Sequence, residues 1–418
     1  MSQLKRGGEK RIICGLFILS VLLEFVVSQT ATQGKLFDGC DFVFNITQGE
    51  SYVESPYYPD PYPPGSSCRY KFVAPLDYGI EVECNINLTK DPTRCSTENF
   101  YLARDGDINM FEGESFCGIG TFKRASMFNS LAIGYVSEGS TGKWMCKLNA
   151  QPRPCDCGWS VNSRISNGKD AVPNEYPSAV ALKDRTNPLE TSFCGASIIS
   201  HYYLLTAAHC TDRFLGPQYI VALVGNHNLL QKNESRYAAQ YDIERIIRHP
   251  WYNSAIDPPT NDIAILRTTT AIQWSRGVGP ICLPPVTSSS DQFAYLDVDV
   301  IGWGDTQTGG VKADTLQKVT LLVTDNPTCT RYYSNISPIL PSQICTYDSL
   351  GQHRDACRLD SGGPVILRKT RQFQVGIISF GNACGLDGYS TGINTRITSF
   401  LYWIQLVTQR TTCNVALN

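Results

Sequence analysis

Three segments of this 418-residue chain carry the residue types that nucleophilic catalysis by a hydroxyl group requires. His209 ends the run Leu-Leu-Thr-Ala-Ala-His, Asp262 begins Asp-Ile-Ala-Ile-Leu, and Ser361 lies in Asp-Ser-Gly-Gly-Pro. Peptide hydrolysis by a serine needs a base for the hydroxyl proton, a carboxylate that orients this base, and donors for the developing oxyanion. These three residues can supply the base, the carboxylate and the nucleophile.

The surroundings of the three residues indicate fixed side chains. His209 follows an apolar run and precedes a cysteine, and Asp262 stands at the edge of an apolar strand. The two glycines after Ser361 let the backbone turn sharply and let a substrate carbonyl approach. Each residue alone also fits a structural role, as a core histidine, a helix cap or a turn serine. Their occurrence together in one chain favours the catalytic interpretation.

The elements that must position these residues are short β-strands. Residues 165–418 contain strand-like apolar runs at 219–224, 298–303 and 374–380, which predicts an all-β unit. One further run, 397–407, repeats its apolar positions at steps of three and four, as a docked amphipathic helix does.

The segments around the three residues together resemble the chymotrypsin/trypsin family of serine proteases, which has the same chain order of His, Asp and Ser. The resemblance covers residues 165–418 and implies two packed six-stranded β-barrels with the catalytic residues in the cleft between them. It implies that His209 is the general base, Asp262 its orienting carboxylate and Ser361 the nucleophile of an endopeptidase with an acyl-enzyme intermediate. This chemistry requires no cofactor and no metal.

The joint at residues 151–164 contains two prolines and ends in Arg164, and it is interpreted as a linker with an activation segment. The resemblance implies that an activating protease cleaves between Arg164 and Ile165, and that the new ammonium of Ile165 pairs with Asp360. A lone buried charge of either sign would be costly, so the pair makes a two-state switch. The alternative is an ordinary exposed arginine in a linker.

The resemblance also implies a substrate pocket formed by Asp355, Ser379, Gly381 and Gly392. A carboxylate at the floor of a narrow pocket attracts a long cation, so protein substrates with Arg or Lys at P1 are expected. Gly381 and Gly392 leave the walls of the pocket open.

The same resemblance implies that the backbone N–H groups of Leu359 and Ser361 form the oxyanion hole, in which the family has glycine in place of Leu359. If the side chain turns that N–H away, turnover would fall by about 10²–10³-fold. The alternative function is therefore a weakly active or inactive serine protease homologue that acts as a binding or cofactor protein.

Residues 36–150 contain short alternating runs separated by turn residues, the pattern of a β-sandwich. They resemble a CUB domain in the Cys40–Cys68 spacing, in Ser-Pro-Tyr-Tyr-Pro-Asp-Pro-Tyr-Pro at 55–63, and in Phe-Tyr-Leu-Ala-Arg-Asp-Gly at 100–106. The resemblance implies a protein or glycan partner, sometimes bound through calcium, but an ordinary Asp-Gly turn explains Asp105 better than a calcium ligand. Alone, this region would also fit a structural adhesive module.

The N-terminus has the pattern of a signal peptide over residues 1–29, with basic residues before an apolar run at 12–27 and small residues after it. A retained signal anchor is the alternative, and no other stretch is long and apolar enough to span a membrane. Seventeen cysteines fit secretion into an extracellular space. Four sequons agree with this route and predict glycosylation at Asn45, Asn87, Asn233 and Asn335.

The two resemblances imply most of the disulfide pairing. The pairs are Cys40–Cys68, Cys95–Cys117, Cys194–Cys210, Cys329–Cys345, Cys357–Cys384 and Cys157–Cys282. Cys84 and Cys146 are left over in two apparent strands and are paired as an extra bridge. Cys155–Cys413 follows by elimination, and the partners of Cys282 and Cys413 could be exchanged.

The net charge of −2 provides no polycation and excludes nucleic acid as an expected partner. The combination of a CUB domain, a Cys-Asp-Cys-Gly-Trp joint and a protease domain resembles secreted serine proteases of insects, including the venom serine proteases of bees and wasps. It implies an extracellular protein with macromolecular substrates.

Overall fold

The computed structural model describes residues 2–5, 11–14, 40–88, 97–160, 171–187, 189–231, 234–255, 259–285, 292–304, 312–332, 339–349, 360–381 and 391–413. The chain divides into two units, residues 1–155 and 156–418. Among the described residues, no helix has both the length and the apolar character needed to cross a membrane.

The regular elements in the described part of the first unit are all strands. Their bounds are β1 Ser2–Lys5, β2 Arg11–Cys14, β3 Asp41–Asn45, β4 Gly49–Glu54, β5 Ser67–Val73, β6 Tyr78–Asn87, β7 Glu98–Ala103, β8 Glu114–Phe116, β9 Ile119–Ala125, β10 Ser130–Ser137 and β11 Lys143–Pro152. One sheet has the order β1-β2-β4-β11-β6-β9 and the other β3-β5-β10-β7-β8. The prediction of an all-β first region is confirmed.

An aromatic core lies inside the first unit. Along β11 buried residues alternate with less buried ones, as in a strand with one face on a core. Trp144 on that strand is fully buried and meets the edges of the Tyr70 and Phe100 rings. Cys84 and Cys146 are direct partners in the register of β6 and β11, and a disulfide joins them.

The second unit contains two closed barrels of six strands each. The first consists of β12 Ala179–Asp184, β13 Cys194–Ile198, β14 Tyr203–Thr206, β15 Ile220–Val224, β16 Ala239–Arg248 and β17 Ala264–Thr268, in the closed order β12-β13-β14-β17-β16-β15. The second consists of β18 Asp297–Gly302, β19 Gln317–Thr324, β20 Gln343–Tyr347, β21 Pro364–Arg368, β22 Gln372–Gly381 and β23 Thr391–Arg396, in the closed order β18-β19-β20-β23-β22-β21. The predicted pair of six-stranded barrels is confirmed.

Helices are short and lie outside the barrel walls. In the described ranges, the α-helices are α1 Asn326–Tyr332 and α2 Leu401–Val407, and the 3₁₀ helices are His209–Thr211, Pro217–Tyr219 and Ile397–Ser399. The amphipathic run expected at 397–407 is a 3₁₀ turn followed by α2. Its buried positions include Ile397, Leu401 and Ile404, whereas Tyr402 and Leu406 are exposed.

The first residues of the second unit pack on its barrels. Cys157 is fully buried and forms a disulfide with Cys282. The Gly158 N–H donates to the Pro280 carbonyl (2.8 Å), and the Gln372 N–H donates to the Gly158 carbonyl (2.8 Å). Gly158 has a φ of 68°, and an added Cβ would lie 2.5 Å from the Gln372 oxygen, so this position requires glycine.

Disulfides join the cysteines in five of the pairs named above. These are Cys40–Cys68, Cys84–Cys146, Cys157–Cys282, Cys194–Cys210 and Cys329–Cys345. Cys117, Cys155 and Cys413 are also disulfide-bonded. The partners proposed for these three stay predictions, and Cys95, Cys357 and Cys384 lie outside the described residues.

A buried cluster of charges fixes the start of the first barrel to the second. The Glu175 carboxylate is fully buried and accepts hydrogen bonds from Lys318 Nζ (2.8 Å), from Arg368 and from the Val172 N–H (2.8 Å). Burial would raise the pKa of Glu175, but these donors and the nearby cations lower it below its usual value. Arg368 also pairs with Asp299 on β18.

Candidate active site

His209 stands at the start of a 3₁₀ turn directly after β14. The adjacent disulfide Cys194–Cys210 ties this turn back to β13. Asp262 lies just before β17, which is the neighbour of β14 in the barrel, so the fold itself brings the two residues together. The His209 Nδ1 is 2.7 Å from Asp262 Oδ2, and the His209 backbone N–H donates to Asp262 Oδ1 (2.9 Å).

Asp262 is 2% exposed, and its position is also fixed by contacts from the second barrel. The Ser379 hydroxyl donates to Asp262 Oδ2 (2.5 Å), and the Thr395 hydroxyl donates to the Asp262 carbonyl oxygen (2.8 Å). Ser379 lies at a register shift between β22 and β23, between the paired positions Ile378 and Phe380. A bulge of this kind re-aims a side chain out of the regular strand alternation.

The pKa values of His209 and Asp262 shift in the directions that favour an ion pair of imidazolium and carboxylate. Burial would lower the pKa of His209, but the hydrogen bond and the charge of Asp262 raise it above its ordinary value. Burial would raise the pKa of Asp262, but the His209 ring, the Ser379 hydroxyl and the His209 N–H lower it. Asp262 is therefore an anion that favours a proton on the imidazole.

Ser361 lies in the turn before β21, against the first barrel. The Gly195 N–H donates to the Ser361 carbonyl oxygen (2.8 Å), which is 3.4 Å from Cys210 Sγ. That sulfur lies 3.8 Å from His209 Nε2, so the serine turn and the imidazole share one neighbour. Among the described residues, no hydrogen bond joins the Ser361 hydroxyl to the His209 ring. Such contacts tighten when substrate binds.

Glycines fit the serine turn between the barrels. Gly362 has a φ of 81°, and a Cβ there would lie 2.5 Å from the Gly195 oxygen and 2.3 Å from the Thr206 hydroxyl. A Cβ on Gly363 would lie 2.8 Å from the Asp360 oxygen. The sequence Ser-Gly-Gly is thus required by the close approach of two chains as well as by the turn.

Asp360 lies beside β18. Its Oδ1 accepts a hydrogen bond from the Gly304 N–H (2.8 Å), and a Cβ on Gly302 would lie 1.9 Å from this oxygen. The proposed partner of Asp360, Ile165, and the proposed cleavage residue Arg164 lie outside the described residues.

Of the expected pocket residues, Gly381 and Gly392 are direct partners in the register of β22 and β23. Ser379 lies next to them, with its hydroxyl directed to Asp262. The sequence predicted Ser379 as a pocket residue but gave no sign of its hydrogen bond to Asp262, because the two residues are 117 positions apart. Asp355 and Leu359 lie outside the described residues.

The predicted glycosylation sites are separate from the catalytic residues described above, whereas one group of potential metal ligands includes His209. Asn45 and Asn87 are exposed at the ends of β3 and β6, and Asn233 and Asn335 lie outside the described residues. Cys194, His209 and Cys210 have potential ligand atoms within 4.8 Å of one another. Because the two sulfurs form a disulfide, neither is a thiolate, and this group has no metal-binding capacity of the usual kind.

Comparisons with known proteins agree with this geometry. The family described as trypsin matches residues 165–404, and the CUB domain family matches residues 40–145. Venom serine protease 34 of Apis mellifera is 33% identical over 377 residues, which is 87% of each chain. Venom serine protease of Polistes dominula is 34% identical over 259 residues, covering 61% of this chain and 88% of that relative. Phenoloxidase-activating factor 3 of Holotrichia diomphalia is 31% identical over 318 residues, covering 72% and 84%.

Proposed function

The chain belongs to the trypsin family of serine proteases and carries a CUB domain, and we propose that it is a secreted zymogen that, once cleaved, hydrolyses proteins after Arg or Lys. The single observation that carries the proposal is the pair of half-buried His209 and buried Asp262 beside the Ser361 turn.

The geometry supports a division of roles within the pair. Asp262 binds the Nδ1 side of the ring at 2.7 Å, which directs Nε2 away from the carboxylate. Ser361 Oγ attacks the scissile carbonyl carbon while Nε2 takes the hydroxyl proton, and the same nitrogen later gives this proton to the leaving amine. Water then attacks the acyl-enzyme while Nε2 takes a proton from the water, and Nε2 returns this proton to Ser361 Oγ as the ester bond breaks. Asp262 stays ionised and stabilises the imidazolium that forms in both steps.

The oxyanion of each tetrahedral intermediate is assigned to the backbone N–H groups of Leu359 and Ser361. The carbonyl of Ser361 is already held by the Gly195 N–H, which fixes the peptide that follows the nucleophile. Because the family has glycine in place of Leu359, we expect the rate to depend on whether the Leu359 N–H reaches the oxyanion.

Activation is assigned to cleavage between Arg164 and Ile165. The support comes from both sides of that segment. Residues 157 and 158 are bonded into the second unit by a disulfide and by main-chain hydrogen bonds, and Glu175 is fixed by buried cations. Because both sides of the cleaved bond are anchored, hydrolysis would free only the two new chain ends between the anchors, and the new ammonium of Ile165 would pair with Asp360.

Specificity is assigned to Asp355 at the floor of a pocket with Gly381 and Gly392 on its walls. Gly381 on β22 and Gly392 on β23 are direct register partners, so neither of these adjacent strands has a side chain at this paired position. A long side chain can therefore lie along the strands, and a carboxylate beyond them selects a cation.

Secretion is supported by the disulfides, because such bonds persist in oxidising compartments. The relatives include proteins named as venom proteases and a proclotting enzyme of Tachypleus tridentatus, which is 29% identical over 260 residues. We therefore assign extracellular protein substrates to the protease domain and a protein or glycan partner to the CUB domain.

The proposal is tested on the full-length zymogen after cleavage at Arg164. Esters and amides with Arg or Lys at P1 should be hydrolysed, and the matched Ser361→Ala protein should show no turnover. Turnover equal to that of the alanine variant would contradict the proposal and support the alternative of a serine protease homologue that binds partners. In the same assay Asp355→Ser should abolish the Arg/Lys preference but leave reaction with a small phosphonate intact; a surviving preference would overturn the pocket assignment.

A further inference from the structure

We propose that Gln374 is a positioning residue for the nucleophile, and that it acts through its hydrogen bond to Ser197 in the other barrel. The inference rests on the proposed function, since it concerns the placement of Ser361. Neither Gln374 nor Ser197 is one of the predicted site residues. Together they join the two strands that hold the turn of Ser361.

Main-chain hydrogen bonds hold the turn of Ser361 from two sides. From the first barrel, the Gly195 N–H on β13 donates to the Ser361 carbonyl oxygen (2.8 Å). From the second barrel, Ile378 on β22 accepts from the Gly362 N–H (2.8 Å) and donates to the Gly363 carbonyl oxygen (2.9 Å). The position of the nucleophile therefore depends on how β13 and β22 are placed relative to each other.

Ser197 and Gln374 connect these two strands through their side chains. The Ser197 hydroxyl on β13 donates to Gln374 Oε1 on β22 (2.6 Å), and both residues are fully buried. A hydroxyl has a single proton to donate, and the Leu205 carbonyl oxygen is farther from it, at 3.5 Å. The proton therefore goes to the glutamine. In buried surroundings of low dielectric constant, such a hydrogen bond is stronger than it is in water.

The amide of Gln374 also spans a bulge in β22. In the register with β21, Gln374 and Gly376 pair with consecutive residues, so Val375 is an extra residue on β22. A bulge of this kind interrupts the ladder and bends the strand. Gln374 Nε2 donates to the Gly376 carbonyl oxygen (3.1 Å), so the side chain holds the two sides of the bulge together. Because the NH₂ group faces this carbonyl, the amide oxygen faces the Ser197 hydroxyl.

The spacing along both strands brings these contacts close to the serine turn. Ser197 lies two positions after Gly195 on β13, and Gly376 lies two positions before Ile378 on β22. Each end of the side-chain contact is therefore close to a residue that binds the turn. Without the contact the two strands can shift, and the nucleophile shifts with them. Displacement of reacting groups by about 1 Å can lower a rate by about 10²-fold.

The test compares Gln374→Leu with the wild-type protein after cleavage at Arg164. Leucine is close to glutamine in size but has no atom that accepts a hydrogen bond. We expect kcat for a basic peptide amide to fall by about 10-fold, because the nucleophile is partly displaced. KM should change by less than about 2-fold, since an interaction that serves only the transition state affects kcat alone. The rate at which a small phosphonate labels Ser361 should fall by the same factor as kcat.

Ser197→Ala removes the other partner of the contact, and it deletes only a hydroxyl, so it tests the inference even if the leucine variant does not fold. It should lower kcat with little change in KM, as Gln374→Leu does. The double variant should lose no more activity than Gln374→Leu alone, because the two residues act through one contact.

Thr268→Val is the matched control, because Thr268 is also a fully buried residue of the first barrel. Its hydroxyl donates to the Thr270 carbonyl oxygen (2.8 Å), and it ends β17, whereas Asp262 precedes the start of that strand. This variant should retain the wild-type kcat. Urea unfolding of each variant shows whether the losses of stability are comparable.

An unchanged kcat in folded Gln374→Leu or Ser197→Ala would overturn the inference. The same conclusion would follow from an equal loss of kcat in Thr268→Val, or from losses that simply multiply in the double variant. Failure of the proposed function gives a different result, since the wild-type protein itself would then neither hydrolyse the amide nor be labelled at Ser361.

Discussion

The two barrels of the second unit have the same number of strands but contribute to the site in different ways. The first barrel supplies His209 and Asp262 from neighbouring strands, and two hydrogen bonds join them within that barrel. The second barrel supplies Ser361, whose turn is held by the Gly195 N–H from the other barrel. The base and its carboxylate are thus brought together within one barrel, whereas the nucleophile is positioned by packing between the two barrels.

The contact between the barrels also runs in the opposite direction. Ser379 and Thr395 of the second barrel bond to Asp262, and the Ser197 hydroxyl of the first barrel donates to Gln374 of the second (2.6 Å). These three hydrogen bonds form the seam between the barrels. Both halves of the site therefore depend on this seam.

Asp262→Asn disrupts the pair of base and carboxylate that the first barrel supplies, and it should have the largest effect on activity. The amide cannot stabilise the imidazolium, and it favours the wrong tautomer of His209, so kcat should fall by about 10⁴-fold. Steady-state kinetics on a basic amide substrate measure this loss. A loss below 10-fold would show that the pair does not serve as base and carboxylate.

Glu175→Gln breaks the anchor of the first barrel on the second. It leaves Lys318 without its buried counter-charge and Arg368 with Asp299 alone, which should reduce the free energy of unfolding by about 3–5 kcal/mol. Urea unfolding of the full chain measures the change. The matched control is Asp242→Asn, which removes an exposed pair with Arg185 and should cost less than about 1 kcal/mol. Equal losses in the two variants would contradict the buried anchor.

Ser379→Ala tests the seam directly, because it removes one donor to Asp262 and leaves both barrels intact. A buried carboxylate that loses a donor is destabilised by about 1–3 kcal/mol, so kcat/KM should fall by roughly 10-fold. Ser399→Ala, at a hydroxyl that reaches only the Pro341 carbonyl at 3.5 Å, should retain wild-type activity. An unchanged rate in Ser379→Ala would show that the seam does not support the site.

The pH profile of kcat/KM should show the smallest but most specific effect. The base acts as neutral imidazole, so activity is lost as the pH falls through the pKa of His209. Because Asp262 raises this pKa, the acid limb should have its midpoint above the ordinary histidine value of about 6.5. In Asp262→Asn the residual activity should have a lower midpoint, since burial then dominates. A midpoint that does not move would contradict the coupling.

The sequence was sufficient for the parts that local patterns determine. Strand alternation predicted both all-β units, and the order of His209, Asp262 and Ser361 named the candidate site. It did not show that Ser379 bonds to Asp262, because that contact depends on a bulge and on the packing of two barrels. The partners of Glu175 were missed for the same reason, since Lys318 and Arg368 lie far from it in sequence.

The most direct test of the central claim is covalent labelling of the Arg164-cleaved protein with a diphenyl phosphonate, located by peptide mass spectrometry. The phosphonate should lose one phenoxide and form one bond, to Ser361 Oγ, in the wild-type protein. The uncleaved zymogen and the His209→Ala variant should remain unlabelled over the same time. Absence of label on Ser361, or equal labelling in the His209→Ala variant, would contradict the assignment of Ser361 as a nucleophile activated by His209.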